Sequence, residues 1–382
     1  MGLYGRKKIK ALIVVGARPN FMKAAPIIRA MKASGAFLPI LAHTGQHYDY
    51  NMSKSFFEAL GLPKPRLYLG VGSGPHGQQT AKVILAMENH LLQKNSRPDL
   101  VIVVGDVNST LAAALAARKL NIPVAHVEAG LRSFDETMPE EVNRRLTDQI
   151  SKFLFITEES ARKNLLREGI DAKKIHFVGN TMIDSLYRNL PQIKASCILD
   201  KLNLASQSYA VLTLHRPSNV DNYENFNKIL KIVEYTERKL QVIFPMHPRT
   251  LKQLDSLGLN GRLKKLKHVV VTKPLGYNDF IKLVSSARFI LTDSGGIQEE
   301  ATVLKVPCIT LRENTERPVT VEVGTNVVAG TNLANIAKNI NKVLSGTAKK
   351  SNIPKYWDGK AAERIVKILQ NHYETFGSNT YV

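Results

Sequence analysis

Short apolar runs alternate with segments of helical periodicity along most of the chain. The clearest run is Leu-Val-Ile-Val-Val at 100–104, which is followed by Gly105-Asp106 and an alanine-rich segment. A continuous β-branched run, rather than strict alternation, is typical of a strand buried on both faces of a parallel sheet. The pattern therefore predicts a repeating unit of strand, polar turn and helix.

The unit recurs in both halves of the sequence. We predict strands that begin near residues 11, 38, 100, 123, 152 and 176 in the first half, and near 208, 241, 269, 287 and 306 in the second. Helical spacing predicts helices at 21–32, 52–60 and 78–92, and further helices after Asp106 and Met138.

The pattern loosens between Asp184 and Ser208, where Asn, Pro, Gln and Ser interrupt it. We place a domain boundary there, with a first domain at 1–187 and a second at 188–356. An amphipathic helix at about 357–373 is expected to pack back on the first domain. The predicted fold is α/β, with two doubly wound Rossmann-like domains whose parallel sheets face a cleft.

Length and composition fit this picture. At 382 residues the chain exceeds the size of most single cores. Its formal net charge of +21 indicates either nucleic-acid binding or a polyanionic substrate. The lysines are scattered and lack interleaved aromatic residues, which favours a solvated basic surface and no nucleic-acid partner.

Cysteine usage and hydropathy bear on the compartment. Cys197 and Cys308 have no metal or redox spacing, so a reducing, cytoplasmic setting is expected. No apolar stretch has the length of a bilayer span, and we expect no membrane insertion.

A glycine turn in the second half is the first candidate site. The strand near 287–292 leads into Asp-Ser294-Gly295-Gly296, after which helical spacing resumes. Free backbone N–H groups at such a helix start bind phosphate, and Glu300, one turn further, could accept hydrogen bonds from sugar hydroxyls. The alternative is an ordinary strand-to-helix turn capped by Ser294.

The first half offers cations and acids at equivalent places. Arg18 and Lys23 lie near a predicted helix start, where they could bind phosphate or could simply be surface cations. Asp106 and Glu128 follow predicted strands, and Glu140 opens a helix. A cap at Asp106 and complementation of the helix dipole at Glu140 are the structural alternatives.

Taken together, the motifs resemble the non-hydrolysing UDP-N-acetylglucosamine 2-epimerases over essentially the whole chain. The motifs that carry the resemblance are Gly16-Ala-Arg-Pro-Asn20, Thr44-Gly-Gln-His47, Gly105-Asp106, His126-Val-Glu-Ala-Gly-Leu-Arg132, Pro139-Glu-Glu141, His215-Arg216, His247-Pro248, Asp293-Ser-Gly-Gly-Ile-Gln-Glu-Glu-Ala301 and Thr315-Glu-Arg-Pro318.

The resemblance implies a fold of the glycosyltransferase-B type, a homodimer, and no metal or added redox cofactor. It implies interconversion of UDP-N-acetylglucosamine and UDP-N-acetylmannosamine. UDP would leave by elimination, giving a glycal, and would add back with inverted configuration at C2.

The resemblance also implies roles for individual residues. The implied catalytic set is Asp106, Glu128, Glu140 and His215, with no acid assigned to either face of C2. The implied substrate contacts are Arg18 and Lys23 for phosphate or uridine, His247 and Arg317 for the diphosphate or sugar, Ser294, Gly295 and Gly296 for the diphosphate, and Glu300 for the ribose.

The chain departs from the family pattern at three places. Ser218 stands where a carboxylate is usual, Asp49 where Gln or Glu is common, and 70–79 lacks the arginine with which many members bind an activating second substrate. An activator site is therefore left open. Other functions also stay open: a 2-epimerase of a modified UDP-sugar, a hydrolysing 2-epimerase, a glycosyltransferase of the same fold, and, from charge alone, a nucleic-acid-binding protein.

Overall fold

The computed structural model describes residues 8–45 and 61–376. It divides into two compact units. Unit 1 comprises the chain up to Tyr187 and from Lys355 onwards, and unit 2 comprises Arg188–Pro354. The helix predicted at 52–60, the motif residues Gln46 and His47, and the substituted Asp49 lie outside the described residues.

Unit 1 is built on a fully parallel sheet whose strand order is β3-β2-β1-β4-β5-β6-β7. Its described strands are β1 (Ile9–Val15), β2 (Phe37–His43), β3 (Leu67–Tyr68), β4 (Leu100–Val104), β5 (Val124–Val127), β6 (Phe153–Ile156) and β7 (Ile175–Phe177). Every residue of β4 is buried, as the continuous apolar run predicts for a central strand.

Helices cover both faces of this sheet. The described helices of unit 1 are α1 (Arg18–Ser34), α2 (His76–Leu91), α3 (Asn108–Lys119), α4 (Pro139–Ile150), α5 (Glu159–Arg167), a 3₁₀ turn (Ala172–Lys174), α6 (Thr181–Lys194) and, at the C-terminus, α16 (Ala361–Phe376). Helix α3 packs between α2 and α4. Its buried alanines allow this close approach, which brings α4 up to the end of β4.

Unit 2 repeats the plan with a parallel sheet of order β10-β9-β8-β11-β12-β13. Its strands are β8 (Tyr209–Thr213), β9 (Gln241–Pro245), β10 (Val269–Thr272), β11 (Phe289–Thr292), β12 (Cys308–Thr310) and β13 (Asn326–Val328). Its helices are α7 (Ile198–Lys201), α8 (Pro217–Val220), α9 (Tyr223–Glu237), α10 (Pro248–Ser256), α11 (Asn260–Lys264), α12 (Tyr277–Ser285), α13 (Gly295–Leu304), α14 (Pro318–Glu322) and α15 (Leu333–Leu344).

Each sheet contains one point at which the strand order reverses. In unit 1 this point lies between β1 and β4, and in unit 2 between β8 and β11. The helices that follow the two strands at such a point leave towards opposite faces, which opens a crevice at the carboxyl edge of the sheet. The predicted chemistry lies there, because Lys23 follows β1, Asp106 follows β4, His215 follows β8 and Ser294 follows β11.

The segment after Asp184, where the sequence pattern loosens, is helical up to Lys194. Helix α6 continues through Pro191, and the division between the two units falls within it, after Tyr187. Pro191 and its polar neighbours therefore loosen the sequence pattern without ending the helix. The sequence pattern also missed the short strands β3 and β13 and several helices of unit 2.

The last helix returns to unit 1. Helix α16 packs against α1, and its first N–H groups, those of Ala361 and Ala362, donate to the Asp184 carboxylate over 3.1 and 2.7 Å. Just before it, the buried Trp357 donates from Nε1 to the Thr157 carbonyl over 3.0 Å. Among the helices at 8–45 and 61–376, none has the length and apolarity that crossing a bilayer requires.

Where the chain returns to unit 1, Gly179 lies against Tyr356, and the space between them leaves no room for a side chain. Gly179 has φ +92°, and a Cβ there would lie 2.0 Å from the Tyr356 carbonyl oxygen. We expect Gly179→Ala to lower the free energy of unfolding by roughly 2–4 kcal/mol, since backbone strain and overpacking add. Urea unfolding followed by circular dichroism measures it.

Gly169→Ala is the matched control. Gly169 has φ +80°, but an added Cβ would meet nothing within 4 Å. It should cost only about 1 kcal/mol. Equal losses for the two variants would show that the Tyr356 contact contributes nothing.

Candidate functional site

Asp106 lies on a tight turn at the end of β4. Gly105 has φ +70°, and α3 begins two residues after Asp106 with Val107 at its N-cap and no side-chain cap bond. The alternative in which Asp106 caps the helix is therefore wrong. Its carboxylate, 28% exposed, accepts from Arg144 Nη1 over 2.8 Å.

Glu128 occupies the corresponding place after β5. It is buried, and its φ of +72° is unusual for a residue with a side chain. Strained backbone of this kind costs about 1–3 kcal/mol and concentrates at functional sites. The Lys23 ammonium forms an ion pair with its carboxylate. The structure thus places Lys23 beside a predicted catalytic acid.

Two neighbouring acids at the start of α4 have different surroundings. Glu141 is buried; its Oε2 accepts from the backbone N–H of Ser133 and pairs with Arg144. Glu140 is half-buried and has no side-chain partner among the residues that the structure describes. Both lie in the first turn, so complementation of the helix dipole holds for both. Of the two, only Glu140 has a carboxylate that pairs with no other side chain in the described residues.

Strand pairing and the position of α4 bring Asp106, Glu128 and Glu140 to the same edge of the sheet. Strands β4 and β5 pair in parallel, and the Gly105 N–H donates to the Val127 carbonyl over 3.0 Å. The α4 residue Asn143 donates from Nδ2 to the Asp106 carbonyl over 2.9 Å. Arg18 is the first residue of α1, at the adjoining end of β1, and its side chain lies outside the described part.

In unit 2 the glycine turn forms the start of a ten-residue helix. Ser294 is the N-cap of α13, but its side chain makes no cap bond, so the capping alternative fails. The first N–H groups of α13, at Gly295, Gly296 and Ile297, have no carbonyl one turn earlier in the helix. N–H groups at a helix start can bind an anion, which is the role that the sequence analysis predicts for this turn.

Asp293 joins this turn to the loop after β8. Its fully buried carboxylate accepts from the backbone N–H groups of His215 and Arg216 and from Asn219 Nδ2, all within 3.0–3.1 Å. Burial raises the pKa of Asp293, but the hydrogen bond and charge of His215 and the backbone bonds outweigh it, and the pKa is lowered.

The same carboxylate orients His215. Nδ1 lies 2.8 Å from Asp293 Oδ1, and the side chain is 55% exposed. Because an ionised carboxylate only accepts, Nδ1 carries the hydrogen and Nε2 is left to act away from Asp293. An aspartate that fixes the tautomer of an exposed histidine is a recurring arrangement for acid–base and anion chemistry.

Three arginines surround Glu316 next to the glycine turn. Arg312 Nη1 and Arg317 Nη1 each lie 2.9 Å from Glu316, and Arg216 Nη2 lies 3.3 Å from it. Arg317 also pairs with Glu299 over 2.7 Å. Burial lowers the pKa of Arg312, with Glu316 opposing the shift and the neighbouring arginines adding to it. This cluster, Arg216, Arg312 and Arg317, carries one more positive charge than the two carboxylates that it contacts, Glu316 and Glu299.

The arginine cluster also touches the turn itself. A Cβ added at Gly295 would lie 2.8 Å from Arg317 Nη1. Glycine is therefore required for the guanidinium to approach the helix start. Backbone N–H groups and a fixed cation converge at this point.

Glu300 is buried on α13. It accepts from the Tyr277 hydroxyl over 2.8 Å. Burial, with a further contribution from the charge of Glu299, raises the pKa of Glu300 to about 8 although the Tyr277 hydrogen bond lowers it. The predicted ribose-binding carboxyl can thus donate or accept near neutral pH.

His247 follows β9 at the same edge of the sheet, is exposed, and is the N-cap of α10. Its Nδ1 accepts from the Arg249 N–H over 3.2 Å. Across residues 8–45 and 61–376, no three His, Cys, Asp or Glu side chains lie close enough together to hold a metal ion.

Sequence reasoning missed several of these residues. Arg144, Asp293 and Arg312 were not singled out, although each contacts a predicted site residue or its neighbour. Arg144 follows the Glu140-Glu141 pair by one helical turn, a spacing that could have indicated it.

Comparison with known proteins gives a consistent result. The family model described as UDP-N-acetylglucosamine 2-epimerase matches residues 29–370. A UDP-N-acetylglucosamine 2-epimerase of Methanocaldococcus jannaschii is 48% identical over 375 residues, 94% of this chain and 99% of the relative. A UDP-2,3-diacetamido-2,3-dideoxy-D-glucuronate 2-epimerase of Pseudomonas aeruginosa is 40% identical over 365 residues, 94% and 99% of the two chains.

Solved structures agree. The crystal structure of the Methanocaldococcus jannaschii UDP-GlcNAc 2-epimerase in complex with UDP-GlcNAc and UDP superposes with a TM-score of 0.87 at 47% identity. It covers 95% of this chain and 100% of the other.

The buried Glu300 carboxyl predicts a pH dependence of stability. Its pKa is near 8 in the folded protein and near 4.5 unfolded, so between these values the folded state holds the proton more tightly. The free energy of unfolding should therefore fall as pH rises from about 5 to 8, by an amount on the order of 3 kcal/mol.

Glu300→Gln isolates this contribution. Its amide oxygen can still accept from Tyr277, but it does not titrate. Urea unfolding at pH 5.5 and 8.5 should show the variant gaining on the wild-type protein at the higher pH. Parallel pH profiles would contradict the assignment.

Proposed function

Because the chain belongs to the UDP-N-acetylglucosamine 2-epimerase family, we propose that it interconverts UDP-N-acetylglucosamine and UDP-N-acetylmannosamine. One observation carries the proposal: carboxylates lie at the reversal point of the unit 1 sheet, and an anion-binding helix start with arginines lies at that of unit 2. Acids suit proton exchange, and the second arrangement suits a diphosphate.

The proposed reaction needs both the carboxylates of unit 1 and the helix start with arginines of unit 2. Loss of the C2 proton and cleavage of the C1–O bond release UDP and leave a glycal. Addition of UDP to C1, with a proton delivered to the other face of C2, gives the epimer. No redox change occurs, and the proton and the UDP that leave are replaced in the second step.

We assign proton exchange and sugar orientation to Asp106, Glu128 and Glu140. Their surroundings differ, because Arg144 faces Asp106, Lys23 faces Glu128, and Glu140 has no partner within the described chain. Unlike environments allow chemically similar acids to take different roles. The choice of acid for each face of C2 is left to experiment.

We assign the leaving group to unit 2. Ser294, Gly295 and Gly296 would bind the diphosphate through N–H groups and a hydroxyl, and Arg317 would neutralise its charge. The ribose would contact Glu300. His215, oriented by Asp293, would act near the bond that breaks. Arg18 and His247 are proposed as additional contacts to the UDP group.

A related substrate is the second candidate. The Pseudomonas aeruginosa relative is named for a 2,3-diacetamido-2,3-dideoxy-D-glucuronate nucleotide. That sugar differs from N-acetylglucosamine at C3 and C6, so elimination across C1 and C2 would use the same acids. The proposal favours UDP-N-acetylglucosamine because the more identical relative is named for it.

We further propose that the enzyme is a cytoplasmic homodimer that supplies a precursor for polysaccharide synthesis. The family resemblance supports the dimer, and free thiols at the exposed Cys197 and the buried Cys308 fit a reducing compartment. Light scattering during size-exclusion chromatography would give the assembly directly.

Epimerisation in deuterated water tests the reaction. Incubation with UDP-N-acetylglucosamine should give the manno epimer with deuterium at C2, because the proton removed exchanges with solvent before its return. Proton NMR follows the loss of the C2 signal and its coupling to C1. Epimer that retains the original hydrogen would contradict the mechanism.

The same time course separates the rivals. Free N-acetylmannosamine and UDP would indicate a hydrolysing enzyme, and no product without an added acceptor would favour a glycosyltransferase. Faster turnover of the diacetamido uronate nucleotide would favour the second candidate.

A further inference from the structure

A buried histidine lies directly beneath the turn that carries Asp106. His126, on β5, is completely buried. Its Nε2 lies 2.8 Å from the Gly105 carbonyl oxygen, and its Nδ1 lies 2.7 Å from Asp148 Oδ1.

Both partners of the ring are acceptors. A peptide carbonyl cannot donate, and an ionised carboxylate cannot either. Burial raises the pKa of Asp148, but His126 and Arg132 outweigh it and the pKa is lowered, so this carboxylate is ionised. Two acceptors require a hydrogen on each ring nitrogen. His126 is therefore an imidazolium that donates in both directions.

The charges around the ring balance only in this state. Asp148 Oδ2 also accepts from Arg132 Nη2 over 2.7 Å, and Arg132 pairs with Glu168 over 2.6 Å. With His126 protonated, two cations face two carboxylates. A neutral ring would leave one negative charge in excess at a largely buried place, which is costly.

The Gly105 carbonyl that His126 holds belongs to a restricted turn. Gly105 has φ +70°, and a Cβ there would lie 3.4 Å from Asn20 Nδ2. The next carbonyl, that of Asp106, is held by Asn143 over 2.9 Å. Two successive carbonyls, one on each side of the Asp106 Cα, are thus held by buried side chains. These contacts restrict the backbone of Asp106, while Arg144 pairs with its carboxylate.

We propose that His126, as an imidazolium anchored by Asp148, is a positioning residue that holds Asp106 in its reactive orientation through the Gly105 carbonyl. The inference rests on the proposed function, in which Asp106 exchanges the C2 proton. Because His126 is completely buried, its proposed effect is exerted through Asp106. A displacement of about 1 Å at a catalytic group can cost on the order of 100-fold in rate, which sets the expected scale.

Two substitutions separate the two bonds of the ring. In His126→Asn the amide nitrogen takes the place of Nδ1, so the bond to Asp148 is kept and the bond to Gly105 is lost. In His126→Gln the amide nitrogen takes the place of Nε2, so the reverse holds. Each variant lacks the charge, which makes them matched controls for one another.

We expect His126→Asn to lose more activity than His126→Gln, and His126→Gln to lose more stability than His126→Asn. His126→Asn should lower kcat by roughly 10- to 100-fold with the UDP dissociation constant within about threefold of wild type. His126→Gln should keep kcat within about fivefold, yet unfold at lower urea, because Asp148 loses a buried donor. Epimerisation kinetics, calorimetric titration with UDP and urea unfolding measure these quantities.

Equal kcat values for the two variants would overturn the proposal and leave His126 a structural residue. A lower kcat in whichever variant is less stable would do the same. Wild-type protein that forms no epimer would instead refute the proposed function. If His126→Asn is not recovered as folded protein, Asn143→Ser, which removes the donor to the Asp106 carbonyl, carries the same expectation. Unchanged kcat in that variant would overturn the positioning role of this turn.

Discussion

The reversal of strand order in each parallel sheet is the constraint on which the arrangement of the site depends. At β1 and β4, and again at β8 and β11, neighbouring strands send their chains to opposite faces, so the carboxyl edge between them is not covered by a connecting helix. Polar groups can be placed there outside the hydrophobic clusters, although some of them, such as Lys23, are buried. Asp106 and Lys23 use one such place, and His215 and Ser294 use the other.

Around these places, buried ion pairs hold the proposed reactive groups in position. Arg144 fixes the Asp106 carboxylate and is itself fixed by Glu141. Asp293 organises the His215 loop through four contacts. Removing one partner of such a pair leaves an uncompensated buried charge, so these contacts are expected to preserve geometry more than to add net stability. In the proposed reaction, a site prepared in this way would need little rearrangement when charge develops on departing UDP.

Much of this could be predicted from the sequence, and the reasons for the failures are physical. The apolar run of β4 and the glycine turn before α13 are local patterns, and both were found. Strands β3 and β13 have two and three residues, too few to show a period. Helix α6 persists through Pro191 because packing overrides local propensity.

The family and its two-domain fold were recognised from motifs, and the comparisons confirm both. The pairings of Lys23 with Glu128 and of Arg144 with Asp106 depend on strand register and helix placement, which no single motif contains.

In the proposed mechanism, unit 2 holds UDP and the acids of unit 1 exchange the C2 proton. Asp106→Asn tests this division most directly, through its turnover measured beside its UDP affinity by calorimetric titration. Turnover should fall by at least about 100-fold, while the UDP dissociation constant should stay within a few-fold of wild type. Loss of UDP binding together with turnover would contradict it, because Asp106 would then maintain the structure of the nucleotide site and take no separate part in the chemistry.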